Sequence, residues 1–259
     1  MTTHQEQNTA IRDQFSKQAQ SYARLARGGK NVMLETLLAV LRPTEADQLL
    51  DVGCGPGRLS LSLAEFVGQV TGIDLTPEML EQARALQAEL GVANARWQQG
   101  DILPMPFSDG AFSIVVTQAT FHHLADPGAV LAEMKRVCAP GGRVAVIDLT
   151  PDPVKREAFD RIETLRDPSH LHVLATEDLR GLGRTAGLEE LACHHFATPM
   201  PFEAVLATSF PGPGVVEEVR GLLREDAASG LDRLGFDARM ENGEVFVTYP
   251  MTMMAWRRP

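Results

Sequence analysis

Cationic residues are scarce in this chain: 24 Lys plus Arg stand against 34 Asp plus Glu over 259 residues, a formal net charge of −10 near neutrality. That balance excludes a nucleic-acid binder working by bulk phosphate neutralisation, because the basic surface it requires is missing. Cysteine is equally sparse. Cys54, Cys138 and Cys193 are odd in number and far apart, at no spacing that ligates zinc or supports dithiol exchange, so a reducing, cytoplasmic setting and no metal site are expected. No run approaches the roughly 18 apolar residues of a membrane span, and the polar N-terminus lacks the apolar stretch of a secretion signal. Repeats, low-complexity tracts and long charge runs are absent as well. A hydrophobic fraction of 44 % is nevertheless enough to bury a globular core.

Residues 47–149 alternate short apolar runs with longer amphipathic segments, the pattern of parallel strands joined by crossover helices. Strands are expected at 48–52, 69–74, 95–99, 112–118 and 142–149, and helices at 58–67, 77–90 and 127–137. Near-continuous apolarity in 112–118 and 143–149 marks strands covered on both faces. Ahead of this core, 9–41 reads as two helices separated by Gly28-Gly29. Beyond Thr150 helices are expected at 155–165, 176–186 and 215–227, with Thr76 and Thr176 as N-caps. A strand is expected at 188–196, and four prolines between Thr198 and Gly214 predict a loop there with at most a short helix. Residues 244–256 alternate Val, Phe and Tyr with polar or small residues and read as a last strand.

The turn after the first strand, LLDVGCGPG at 49–57, places Gly53, Gly55 and Gly57 between a strand and a helix, where a ligand can lie against bare backbone. Its G-x-G-x-G spacing is not the G-x-G-x-x-G that cradles pyrophosphate, and no G-K-[ST] follows to hold a nucleoside triphosphate. Asp74 ends the second strand, where a carboxylate can accept from both ribose hydroxyls of an adenosine. Just after the third strand, Asp101 can accept from an adenine amino group while Ile102 lies against the ring. Three strand ends thus converge on one nucleoside.

Together with GIDLTPEML, GDILPMPFSDGAFSIVV, FHHLADP and EMKRVCAPGGRVAVID, the chain resembles the class I S-adenosylmethionine-dependent methyltransferases of the small-molecule, ubiquinone- and menaquinone-methyltransferase-like group. The resemblance implies an α/β, Rossmann-like, mostly parallel seven-stranded sheet of order 3-2-1-4-5-7-6, its last strand antiparallel. A helical N-terminal cap (1–45), a cofactor-binding core (46–150) and a sheet-completing region with inserted cap helices (151–259) divide one domain. It further implies that Gly53, Gly55 and Gly57 border the methionine part of S-adenosylmethionine, with Asp51 near its amino group. Asp74 lies at the ribose, Met79, Asp101 and Ile102 at the adenine, and Thr117 under the sulfonium, with Leu75 also among the cofactor-binding residues. Tyr22 occupies the place of a tyrosine that reaches the cofactor carboxylate.

Methyl transfer from a sulfonium needs alignment first and a base only where the acceptor must lose a proton. The candidates for that base are His170, His122 and His123, in that order, with alternation turning one of His122 and His123 to the pocket. No Asp/Asn-Pro-Pro-Tyr follows the fourth strand, where Thr117-Gln118-Ala119-Thr120 stands, which argues against amide or nucleobase nitrogen as acceptor. The reading is therefore a methyltransferase acting on oxygen or carbon of a small acceptor, in a monomer or homodimer. Met200 to Phe210, with Phe202 and Leu206, is expected to make the acceptor site partly apolar. The rivals are a non-catalytic S-adenosylmethionine-binding module, an enzyme using the same donor for another reaction, and a nicotinamide oxidoreductase.

Overall fold

The computed structural model describes residues 2–24 and 32–259, and of residues 22–24 the backbone only. The expected break at Gly28-Gly29 lies outside the described residues. On either side stand α1 (His4–Arg24) and α2 (Val32–Leu41). The alternating region then runs β1 (Gln48–Val52), α3 (Arg58–Leu63), β2 (Gln69–Asp74), α4 (Pro77–Leu90), β3 (Ala95–Gln99), β4 (Phe112–Gln118), α5 (Pro127–Val137) and β5 (Cys138–Leu149). The C-terminal part adds α6 (Arg156–Arg166), α7 (Thr176–Thr185), β6 (Glu189–Pro201), α8 (Phe202–Leu206), α9 (Val215–Ser229), β7 (Arg239–Glu241) and β8 (Glu244–Arg257).

The sheet has eight strands rather than seven. Its path is β3-β2-β1-β4-β5-β8-β6, which is the expected order once the short β7, paired only to β8, is set aside. β8 runs antiparallel to both β5 and β6. A three-residue strand closing a hairpin through Asn242-Gly243 is too short to show a period of two, which is why β7 is invisible in the pattern.

Period-two alternation sorts the central strands into two cores. Leu50, Val52, Val115, Val144, Val146, Met254 and Trp256 face α5 and α7, while Leu49, Val70, Ile114, Val116, Ala145, Ile147, Met253 and Ala255 face α2 and α3. This is the two-sided cover expected of β4 and β5. A third core, around Phe159, Phe202, Val219, Leu223, Phe236 and Tyr249, joins α6, α8 and α9 to the first half of β8. Phe202 is only 1 % exposed within it.

Two local expectations are corrected. The prolines at 199 and 201 do not end β6, because β6 is the edge strand and pairs with β8 alone, so their missing N–H groups face no second neighbour. Thr76 stands at the N-cap of α4, but its hydroxyl is buried without a partner, and the Asp74 carboxylate takes the Thr76 N–H instead. For α7 the cap is Ala175, with Asp178 Oδ2 accepting from its N–H at 3.0 Å.

Helix α7 approaches the sheet so closely that a Cβ on Gly183 would stand 2.2 Å from Trp256 Nε1 and 2.6 Å from Cε2. Gly183→Ala is therefore expected to lower stability by about 1–3 kcal/mol, the scale of core overpacking, despite the better helix propensity of Ala. Equilibrium urea unfolding of the two proteins checks this.

Candidate active site

At the C-terminal edge of the sheet, parallel register brings the ends of β1, β2, β3 and β4 side by side: Val52 pairs with Ile73 and Asp74 with Gln99, while Asp51 is beside Val116. The turns that leave these strands surround a cavity of about 280 Å³. From the sequence-predicted set, Asp51, Gly53, Gly55, Asp74, Leu75, Met79, Asp101, Ile102 and His123 line it. Gly57, Thr117, His122 and His170 do not. Tyr22 belongs to α1, but its side chain lies outside the described residues.

The three glycines of the turn differ in what they accommodate. All have positive φ (67°, 51° and 76° at Gly53, Gly55 and Gly57), but a Cβ on Gly57 would meet the Trp97 ring at 2.4 Å and one on Gly53 would meet Thr120 Oγ1 at 2.7 Å. Only at Gly55 does a Cβ point into open space. Gly55 is thus the position bare toward the cavity, whereas Gly53 and Gly57 are held small by protein neighbours. Thr117 is likewise structural here: fully buried, it donates from Oγ1 to the Val52 carbonyl at 2.7 Å and ties β4 to β1.

Three carboxylates stand around the cavity in different electrostatic states. Asp51 is 1 % exposed, with Ser60 Oγ donating to it at 2.5 Å and no cationic partner among the described residues. Burial pushes its pKa up to about 7, further helped by Asp74 and opposed by the Ser60 hydrogen bonds. Asp74 accepts from Gly55 N at 2.7 Å and from Thr76 N at 2.9 Å, and burial raises its pKa against these bonds. Asp101 accepts from Asn8 Nδ2 at 2.6 Å, stands 2.9 Å from His4 Nε2, and takes the Leu103 N–H.

The N-terminal helix roofs the cavity. His4, Asn8, Ile11 and Phe15, one helical face, line it. Ser16 anchors α1 to Glu78 of α4 at 2.9 Å, and Gln7 Nε2 donates to the carbonyls of His123 and Ser169 at 2.8 and 2.7 Å. None of these residues was singled out from the sequence, although the spacing of Ile11 and Phe15 with the polar pair His4 and Asn8 is a readable i, i+4, i+7, i+11 stripe. Gln118, Ala119 and Thr120 complete the wall, with Ala119 held at φ 53° just past β4.

His122 and His123 do not alternate as strand residues, because they form a short 3₁₀ turn, Phe121–His123. His122 Nδ1 is 2.6 Å from Asp148, which also accepts from the Thr120 and Phe121 N–H groups. Burial opposes charge on His122, but Asp148 carries its pKa upward overall, and His122 in turn holds Asp148 below the usual carboxylate range against burial. His123 Nδ1 is 3.0 Å from the Ser169 carbonyl, and its ring meets Phe15 edge-on at 5.1 Å. Burial and then the neighbouring His122 cation depress the His123 pKa to about 3. His170 is 3 % exposed, bound through Nε2 to Asp160 at 2.7 Å, with Nδ1 unpartnered.

Behind these rings, Arg166 pairs with Glu163 and with Ser209, while Asp167 accepts from Ser169 and Gln18. Residues 200–210 contribute nothing to the lining, since Phe202 is spent in the third core. Among the described residues no group of three or more His, Cys, Asp or Glu is arranged to hold a metal ion, and no helix is long and apolar enough to cross a membrane.

Residues 50–146 match the family model described as a methyltransferase domain. An uncharacterised methyltransferase of Bacillus subtilis (strain 168), YcgJ, is 34 % identical over 161 residues, 61 % of this chain and 63 % of that protein. The demethylmenaquinone methyltransferase of Thermus thermophilus is 40 % identical over 123 residues, 44 % of this chain and 56 % of that one. The solved structure of YcgJ shares the fold, with a TM-score of 0.78 at 23 % identity, covering 87 % of this chain and 97 % of that one. The chain thus spans 63 % and 56 % of the lengths of these two sequence relatives.

A buried histidine that resists protonation makes the native state sensitive to acid. His123 keeps its proton off down to about pH 3, whereas the unfolded chain takes one up near pH 6.5, so its contribution is present above 6.5 and is lost as pH falls through that window. Between about pH 6 and pH 4, stability of the wild type is expected to fall more steeply than that of His123→Asn, by up to about 1.4 kcal/mol per pH unit. Denaturant unfolding at a series of pH values measures the difference in slope.

Proposed function

Because the chain belongs to the methyltransferase domain family, whose S-adenosylmethionine-dependent members carry this fold, we propose that it transfers a methyl group from that donor to oxygen or carbon of a small, partly apolar organic acceptor. The observation that carries the proposal is Asp51: a buried carboxylate at the lip of the glycine turn, with no cationic partner among the described residues. An isolated buried charge is costly, and such groups are paired or neutralised. The ammonium of a methionine moiety is the partner this site fits, and the open space at Gly55 beside it fits the backbone approach that the same moiety requires.

The remaining groups fit the rest of the donor. Asp74 spends one lone pair of each oxygen on Gly55 and Thr76 and has the others for ribose hydroxyls. Leu75, Met79 and Ile102 supply apolar surface for a base, and Asp101 an acceptor at its edge. When bound, the donor supplies an electrophilic methyl group on a sulfonium. The protein's part is to hold it, to exclude water beneath α1, and to orient the acceptor, for which alignment can be worth roughly 7–11 kcal/mol. Ile11, Phe15, Leu59 and Leu124 give the acceptor side apolar walls, interrupted by Gln118 and His123. These walls, rather than residues 200–210, support a partly apolar acceptor. The free thiols of Cys54, Cys138 and Cys193 are in keeping with a cytoplasmic setting.

Titration calorimetry with S-adenosylhomocysteine tests the reading. Asp74→Ala is expected to weaken binding by about 1.5–3 kcal/mol, the scale of hydrogen bonds to a charged group, and equal affinity for variant and wild type removes the ribose assignment. Pairing of an ammonium with Asp51 draws its pKa down from about 7, so binding should release a proton near neutrality and tighten as pH rises through that value. Heats measured in buffers of different ionisation enthalpy report the proton, and its absence counts against Asp51 as the ammonium site.

A further inference from the structure

Of the three histidines gathered beyond β4, His123 is the one that lines the cavity, and its surroundings fix its tautomer. Nδ1 faces the Ser169 carbonyl at 3.0 Å, which can only accept. The Ser169 hydroxyl, 3.2 Å from the same nitrogen, gives its own proton to Asp167 Oδ1 at 2.6 Å, so it too offers His123 only a lone pair. Both contacts require Nδ1 to carry the hydrogen, which leaves Nε2 of the neutral ring with a lone pair. Nε2 makes no hydrogen bond to the described residues, and it is not among the buried polar atoms sealed without one, so it is the open side of the ring. The ring cannot easily turn away, wedged between Phe15 (5.1 Å, edge-on) and His122 (4.1 Å between centroids).

An acceptor nitrogen set in a wall of Ile11, Phe15 and Leu124 calls for a donor on the molecule that enters. Resting on the methyltransferase reading above, we propose that His123 Nε2 is the base of the reaction and that the methyl acceptor is the hydroxyl group of an apolar, phenol-like molecule. The oxygen lone pair forms the new bond to the methyl carbon as the carbon–sulfur bond breaks, its electron pair staying on sulfur to give a thioether. The hydroxyl proton passes to Nε2, so one positive charge leaves the sulfonium and one appears on the imidazolium, from which solvent removes the proton on product release. Asp167, reached through Ser169, stabilises that imidazolium, whereas His122 and His170 oppose it. Among the described residues, the other charged groups packed on this cluster are Asp148 on β5 and Asp160, Glu163 and Arg166 on α6, while α1 presents Gln7, Phe15 and Gln18.

His122 does not reach the cavity and is engaged through Nδ1 by Asp148, so it is a positioning residue for the Phe121–His123 turn. His170, bound to Asp160 and unpartnered at Nδ1, is also outside the lining.

The test uses the full chain in complex with S-adenosylhomocysteine. Long-range ¹H–¹⁵N NMR of the histidine rings should show neutral His123 protonated on Nδ1 with the lone pair on Nε2; an Nε2–H tautomer overturns the proposal. With labelled S-adenosylmethionine and phenol, catechol and 4-nitrophenol as probes, the wild type should methylate at least one. His123→Asn should bind S-adenosylhomocysteine with a Kd within about threefold of wild type yet methylate at least about 100-fold more slowly, the lower bound for loss of a general base. A wild type that binds the cofactor but methylates none of the three phenols, or a variant as fast as wild type, refutes it. Lack of cofactor binding by the wild type is a different result, and refutes the methyltransferase reading itself. Should the variant not fold, the tautomer of the wild-type ring still decides.

Discussion

A carboxylate buried at the end of β1 with no cationic partner among the described residues is the constraint around which the rest of this cavity is arranged. Asp51 is kept from water by the sheet on one side and the glycine turn on the other, with the Ser60 hydroxyl as its close side-chain donor. In so dry a place the charged form is stable only when a cation arrives. Asp74, a strand away, adds negative potential and uses its own oxygens to fix the turn through Gly55 N, so two buried acids share one loop and sharpen each other's preference for a positively charged guest.

The roof follows a second constraint. Helix α1 carries little apolar surface of its own and stays in place through directional contacts: Ser16 to Glu78, Gln7 to two carbonyls, and His4 and Asn8 to Asp101. The same helix therefore covers the cavity and holds Asp101, one of the carboxylates that line it. Beneath it, the Phe121–His123 turn is pinned by Asp148 accepting two backbone N–H groups and the His122 ring. The surrounding acids and bases set neighbouring imidazoles apart, one drawn toward charge by Asp148 and one held neutral by burial beside that charge.

Much of this was readable from the chain. The five central strands and the helix from Pro77 to Leu90 follow from period and boundary residues, and the carboxylates at 51, 74 and 101 from their places at strand ends. What escaped was set by long-range partners. That Gly57 is small because of Trp97, forty residues on, or that Thr117 is occupied by Val52, is invisible to local pattern. The prolines of β6 misled because an edge position is a property of the sheet, not of the segment. Phe202 misled because a large apolar residue suits a core and a pocket equally well, and here it went to the core.

From its sequence alone this protein is committed to a doubly covered, mostly parallel sheet with a bare glycine turn and acidic strand ends, because hydrophobic period, capping chemistry and glycine placement are local properties. Which histidine meets the cavity, which nitrogen of it holds the hydrogen, and which carboxylate is buried beside the glycine turn were decided only on folding. Those are properties of burial and of hydrogen-bond partners brought from residues as distant as Phe15, His123 and Ser169, and no segment carries them by itself.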